Sequence, residues 1–456
     1  VNPETTTGAA PPTAEPRQET SKRPAASGSL YRVVWRWHFY AGVLVAPVLL
    51  VVAVTGALYV FRAEIEDYLH ARLRFVAPGP HRLKAQALVD AARAAHPGQT
   101  PAGLELPADP RRSAAVRFGG PRREGGVTAY VDPYRGRVLG SAGDGVTDGP
   151  AAFFDAVLLI HRQLFIGTTG RVVVELTVGW TVVLLITGLY LWWPKRPAQT
   201  LGVWRPRWRA KPYTVLRDLH SVFGFYLLAP AFVIVVTGLF YSLVWGEAFY
   251  LATHGATGGA ASKSVAPRAE KAAPEDAPEG PTLSLDRVEE LARARYPDRN
   301  LSIALADKPG RGVEVRAGND FNNSYGPYVS AQFEIDRVDG TVRSHKTLAE
   351  DDRYWWHGWV YPLHVGSVWG PATKVVWLLA CLVLAALPVT GLWMWLVRRP
   401  SGRTGFPRRP ERPLPLGLLA SIVALGMLLP VVGASMILIV TGEYLVSLTR
   451  RAEGFS

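Results

Sequence analysis

Five stretches of the chain contain no Lys, Arg, Asp or Glu: residues 37–61, 176–194, 219–246, 375–397 and 413–442. Each runs for 19 to 30 residues, enough for a helix to cross a hydrocarbon core of roughly 30 Å. A buried helix of a soluble protein rarely stays uncharged over that length, so the pattern predicts a polytopic α-helical membrane protein.

The formal charge of +13 is placed beside these stretches. "PKRPAQTLGVWRPRWRAKPY" carries six Lys/Arg and no acid, and "RRPSGRTGFPRRPERP" six Arg and one Glu. Short basic loops stay on the cytoplasmic side, which puts both loops inside and the two connections of about a hundred residues outside. Topology therefore accounts for the charge, and no nucleic-acid partner is expected.

A single cysteine, Cys381, lies within the fourth stretch. That excludes disulfides, cysteine-ligated iron–sulfur clusters and Cys-x-x-Cys-His haem attachment, and leaves Cys381 as a packing residue. There is no Gly-x-Gly-x-x-Gly after a strand and no Walker-type loop, so no nucleotide or flavin site is expected.

The chain repeats itself. Aligning "HFYAGVLVAPVLLVVAVTG" on "HSVFGFYLLAPAFVIVVTG" matches His38 with His220, Gly42 with Gly224, and Thr55-Gly56 with Thr237-Gly238. Aligning His161 on His364 matches Gly167 with Gly370 and Arg171 with Lys374. Thr187-Gly188 then falls on Thr390-Gly391, and Lys195-Arg196-Pro197 on Arg398-Arg399-Pro400. The outer segments repeat as well: a helical period in "LKAQALVDAARAAHPG" and "LSLDRVEELARARYPD", then short β-like runs. Asp132/Gly136 and Asp336/Gly340 are spaced for hairpin turns.

The expected architecture is a duplicated four-helix core plus one extra C-terminal helix, with two extracytoplasmic α+β domains. The divisions are a disordered cytoplasmic tail 1–29, helix 30–62, outer domain 63–152, an interfacial segment and helix 153–197, and a basic loop 198–212. There follow helix 213–248, linker 249–281, outer domain 282–352, an interfacial segment and helix 353–400, a basic loop 401–413 and helix 414–447. The first span lacks a small-residue cleavage site and is expected to stay as an anchor. The last span, kinked near Pro430, is expected at the periphery.

Two copies entering the membrane in one direction form a parallel repeat about an axis along the membrane normal. His38 and His220 then face each other on the inner side, and His161 and His364 on the outer side. A planar macrocycle on the axis would receive one imidazole on each face, giving six-coordinate iron. Glycines at the matched positions would let a flat ring approach the backbone. Arg171 and Lys374 could pair with propionates or snorkel to the interface, and Glu175, four residues on, could pair with Arg171. His357 stands outside the symmetric set: an alternative ligand, a substrate-site group or an interfacial residue. His70, His81, His96, His254 and His345 read as surface residues.

The stretches "WHFYAGVLVAPVLLVVAVTG", "LLIHRQLFIGTTG", "LRDLHSVFGFYL" and "YPLHVGSVWG" resemble the PepSY-associated transmembrane family over about residues 30–400, and the outer domains resemble PepSY modules. Some members are similar to inner-membrane haem-containing reductases of ferric siderophores. The resemblance implies two b-type haems, with His38, His161, His220 and His364 as iron ligands and His357 as a further candidate. It implies an oxidoreductase of the bacterial cytoplasmic membrane, with its N-terminus inside, that reduces ferric siderophores or other ferric chelates outside. The chain lacks the reductase domain of flavin-fused relatives, so its electrons would come from a quinol or a cytoplasmic reductase. The alternatives are a haem-free PepSY binding or regulatory protein and a metal or haem transporter.

Overall fold

The computed structural model describes residues 26–119, 126–143, 149–194, 198–254, 282–305, 312–320, 325–351, 354–402, 405–407 and 416–453. The expected tail before residue 26, the linker over 255–281 and parts of both basic loops lie outside the described residues.

Helix α1 (Ala26–Val60) leads through the short α2 (Arg62–Leu69) and α3 (Ala71–Arg74) into a first α+β unit. That unit is α4 (Ala85–Ala95) with strands β1 (Pro101–Leu106), β2 (Ala114–Phe118), β3 (Val127–Val131) and β4 (Val138–Ala142). Helices α5 (Gly149–Gln163), α6 (Gly167–Trp192), α7 (Pro212–Tyr226), α8 (Leu228–Leu239) and α9 (Val244–His254) follow. The second unit is α10 (Leu285–Arg295) with β5 (Asn300–Ala304), β6 (Gly312–Gly318), β7 (Ser330–Asp336) and β8 (Val342–Thr347). A π-helical turn (Trp355–Val360), α11 (Tyr361–Val365), α12 (Pro371–Arg398), α13 (Leu416–Leu428) and α14 (Pro430–Glu453) complete the order.

Among the described residues, three helices are long and apolar enough to cross a membrane: α1, α6 and α12. In α1 the residues Ala41, Val45, Leu49 and Ala53 are buried, one every fourth position, which is the stripe a helix presents to its neighbours. Leu44, Val51, Val54 and Leu58 are exposed on its other faces, a surface suited to hydrocarbon rather than water. The buried stripe packs in one cluster with Trp180 and Leu185 of α6, Val235 of α8 and Leu384 of α12.

The third uncharged stretch departs from the single span expected. It is broken at Leu227 into α7 and α8, bent by 68°. Pro230 supplies the cause: it has no N–H to donate, and its ring crowds the carbonyl four residues back. The fifth stretch is likewise divided at Leu429, where Pro430 opens α14. Its junction is held by the core, through Val432 against Gly179 and a hydrogen bond from Trp180 Nε1 to Ser435 Oγ (3.1 Å).

The two α+β units are not separate bodies. Their strands form one antiparallel sheet in the order β4-β3-β2-β1-β5-β6-β7-β8, joined where β1 pairs with β5, Leu104 opposite Ile303. Leu88 and Ala92 of α4, Val288 and Ala292 of α10, and Val116, Phe118, Val315, Phe333 and Ile335 of the sheet share one core. Carboxylates of α10 also cap the N-terminus of α4: Ala85 N–H donates to Glu289 (2.9 Å) and Gln86 N–H to Asp286 (2.7 Å), where negative charge is favoured. The Asp-to-Gly turns are as expected, with Gly136 and Gly340 at φ 67° and 76° and each donating its N–H to the aspartate carbonyl (2.9 Å).

Candidate functional site

Four imidazoles sit on four Thr-Gly pairs of other helices. His38 of α1 rests on Thr187-Gly188 of α6, and His220 of α7 on Thr390-Gly391 of α12, with Nδ1 to Oγ1 at 2.9 Å in both. His161 of α5 rests on Thr55-Gly56 of α1 (3.1 Å), and His364 of α11 on Thr237-Gly238 of α8 (3.2 Å). The glycines make the seats. A Cβ at Gly188, Gly391, Gly56 or Gly238 would stand 3.4, 3.7, 3.3 or 3.2 Å from the Cε1 of the ring above it.

The rings then meet in pairs. His38 and His220 lie with centroids 6.5 Å apart, and His161 and His364 with centroids 6.3 Å apart. The second pair is nearer the sheet. In that pair each Nδ1 also lies 3.0 Å from a backbone carbonyl, Val52 O or Ile234 O. A carbonyl only accepts, so Nδ1 carries the proton and Nε2 holds the free lone pair.

Local structure explains how His161 and His364 reach these seats. Each ends a helix rather than starting the span that follows. After α5 the chain turns back through Leu164, Phe165 and Gly167, all left-handed (φ 51°, 60° and 62°). After α11 it turns at Gly366 (φ 74°), whose missing side chain leaves room for the Trp377 ring. Trp377 Nε1–H in turn donates to Leu363 O (2.7 Å) and ties the His364 helix to α12.

The family of PepSY-associated TM regions matches residues 35–398 of the chain. The chain belongs to this family. No curated protein matches it. The matched region begins three residues before His38, ends at the close of α12, and takes in all four Thr-Gly seats. With its apolar helices, the PepSY-associated TM chain is a membrane protein.

The remaining candidates of this PepSY-associated TM chain fall elsewhere. His357 is half-buried on the π-helical turn, and His364 is the one that faces His161. Lys374 does not snorkel: its side chain is 3 % exposed and its Nζ pairs with Glu64 of α2 at 2.6 Å. Glu175 does not serve Arg171. Its two oxygens accept the N–H groups of Val244 and Trp245 (both 2.8 Å) and so cap α9. Arg171 is half-buried on α6.

Several partners are not legible in the sequence. The Thr-Gly pairs serve by more than their glycines, since the threonine oxygens are what the rings bond. Asp218, two residues before His220, is fully buried and held by Arg207 (2.7 Å to each oxygen) and Arg217 (3.0 Å). An acid in an otherwise basic segment was the available signal. Near the sheet, Arg62 bonds Tyr59 and Glu66, Arg74 bonds Glu66 and Asp67, and Arg112 bonds Asp67. This network links the end of α1 to the sheet.

Proposed function

We propose that the chain is a transmembrane electron conduit that holds two b-type haems and reduces ferric chelates at its extracytoplasmic face. The observation that carries the reading is the spacing of the imidazole pairs. Rings at such a spacing would leave room for one metal ion held by an imidazole from each side at about 2 Å. The pairs stand at 6.5 and 6.3 Å.

The donor set fits a macrocycle better than a bare ion. Among the described residues no three His, Cys, Asp or Glu side chains gather around one point, and two imidazoles leave four equatorial positions of an octahedral ion unfilled. When bound, haem would supply reversible one-electron exchange between ferric and ferrous iron. His38 and His220 would hold one group and His161 and His364 the other, with Nε2 presented by the Nδ1 bonds. Lys374 is committed to Glu64, so a propionate role for Lys374 is not part of the proposal.

Thr55 lies seventeen residues beyond His38 on α1, about 25 Å at the helical rise. Two sites so separated would reach across most of a hydrocarbon core. The basic loops support placing the His38–His220 pair on the cytoplasmic side and the sheet outside. The fourfold seat also supports the duplicated four-helix core. One electron per ferric ion would leave Fe(II), which hard oxygen ligands hold poorly. The donor would be a quinol or a cytoplasmic reductase, and the substrate a ferric siderophore or similar chelate.

The test is a visible spectrum of the purified full chain, oxidised and dithionite-reduced, with haem quantified. Low-spin bands from about two haems per chain, and reoxidation on adding a ferric chelate, are expected. A colourless protein overturns the proposal.

A further inference from the structure

Each threonine hydroxyl at the four seats has one proton, and that proton is already engaged. Thr187 donates to Val183 O (2.7 Å), Thr390 to Ala386 O (2.8 Å), Thr55 to Val51 O (2.7 Å) and Thr237 to Val233 O (2.6 Å), each a carbonyl four residues back on its own helix. What the hydroxyl has left for the ring is a lone pair. The ring must then donate through Nδ1–H, and Nε2 is left unprotonated.

We infer that Thr55, Thr187, Thr237 and Thr390 are positioning residues: each fixes the Nδ1–H form of its histidine and so aims a free Nε2 into the pair. The inference rests on the haem reading for its redox consequence. An Nδ1–H donating to an oxygen makes the imidazole a stronger electron donor. That favours the ferric state and lowers the potential of the group it holds.

The four seats are not equally dependent on the threonine. His161 and His364 have a carbonyl at 3.0 Å as a second acceptor. For His38, among the described residues, Thr187 Oγ1 is the only hydrogen-bond partner of the ring. Replacing Thr187 therefore removes the whole constraint at His38, whereas Thr55→Val leaves His161 its Val52 carbonyl.

The experiment compares the full chain with Thr187→Val, Thr187→Ser and Thr55→Val, by potentiometric titration of bound haem and by ring nitrogen-15 shifts of the histidines with and without haem. Expected are an upward shift of one of the two haem potentials in Thr187→Val, or loss of that haem, with the other unchanged. Thr187→Ser keeps the wild-type values, and Thr55→Val shifts less than Thr187→Val. The nitrogen spectra should show Nδ1–H histidines in the wild type and mixed forms at His38 in Thr187→Val. Unchanged potentials and ring forms in Thr187→Val, or an equal shift in Thr187→Ser, overturn the inference. A wild-type chain that takes up no haem overturns the proposed function instead, and the nitrogen spectra of the haem-free protein then decide the role of the threonines alone.

Discussion

His38 and His220, 182 positions apart in the chain, face each other with ring centroids 6.5 Å apart. On the proposed haem reading, the pairing makes the two residues one site rather than two. His38→Ala and His220→Ala are each expected to abolish the same haem and spare the other, seen as half the haem per chain and loss of one of two potentials. Loss of both haems from a folded variant, or of neither, would contradict the pairing.

The glycine seats differ in tightness, so they should differ in tolerance. A methyl at Gly238 would lie 3.2 Å from His364 Cε1, while one at Gly391 would lie 3.7 Å from His220 Cε1. Gly238→Ala is expected to push its ring aside and, on the proposed haem reading, to reduce haem content at that pair. Gly391→Ala should retain both haems. Parallel haem quantification of the two variants checks this.

The Glu64–Lys374 pair is asymmetric in exposure, 38 % against 3 %. Removing the carboxylate takes a charged partner from a buried ammonium, which costs more than losing a surface pair. Removing the ammonium leaves a carboxylate whose side chain is 38 % exposed and should cost less, about 1 kcal/mol. Thermal unfolding should therefore fall much further for Glu64→Ala than for Lys374→Met. Equal losses would refute the asymmetry.

Asp67 joins the end of α1 to the sheet through Arg74 (2.8 Å) and Arg112 (2.5 Å). Burial alone would raise its carboxyl, but the hydrogen bonds from Arg112 and Arg74 outweigh that and hold it below the usual range. A lowered folded value means stability present above the ordinary aspartate value of about 3.9 and lost as pH falls through the folded one. Unfolding midpoints followed from neutral to acid pH should show that loss. Asp67→Asn should flatten the contribution and lower stability at neutral pH.

The seam between β1 and β5 predicts that the outer units unfold together. Leu104→Ala, a core truncation costing about 2–5 kcal/mol, should weaken amide protection in β5 and β6 as much as in β1 and β2. Hydrogen exchange resolves it: protection lost in the first unit alone would mean two independent modules.

Length and absence of charge were enough to mark α1, α6 and α12 as membrane stretches, because the transfer of a helix into hydrocarbon is a sum over its own residues. The repeat could be read for the same reason: His38 with Thr55-Gly56, or His161 with Thr187-Gly188, are spacings along one segment. The breaks at Leu227 and Leu429 are half visible in the sequence: Pro430 reads as a kink, whereas Pro230 reads only as part of the repeat. What the sequence left open were meetings between segments. The choice of His364 over His357, the threonine beneath each ring, the Glu64–Lys374 pair and the single sheet through β1 and β5 all join residues far apart in the chain. Only packing brings such groups within hydrogen-bond reach, and hydrogen bonds depend on a few tenths of an ångström that no local spacing encodes.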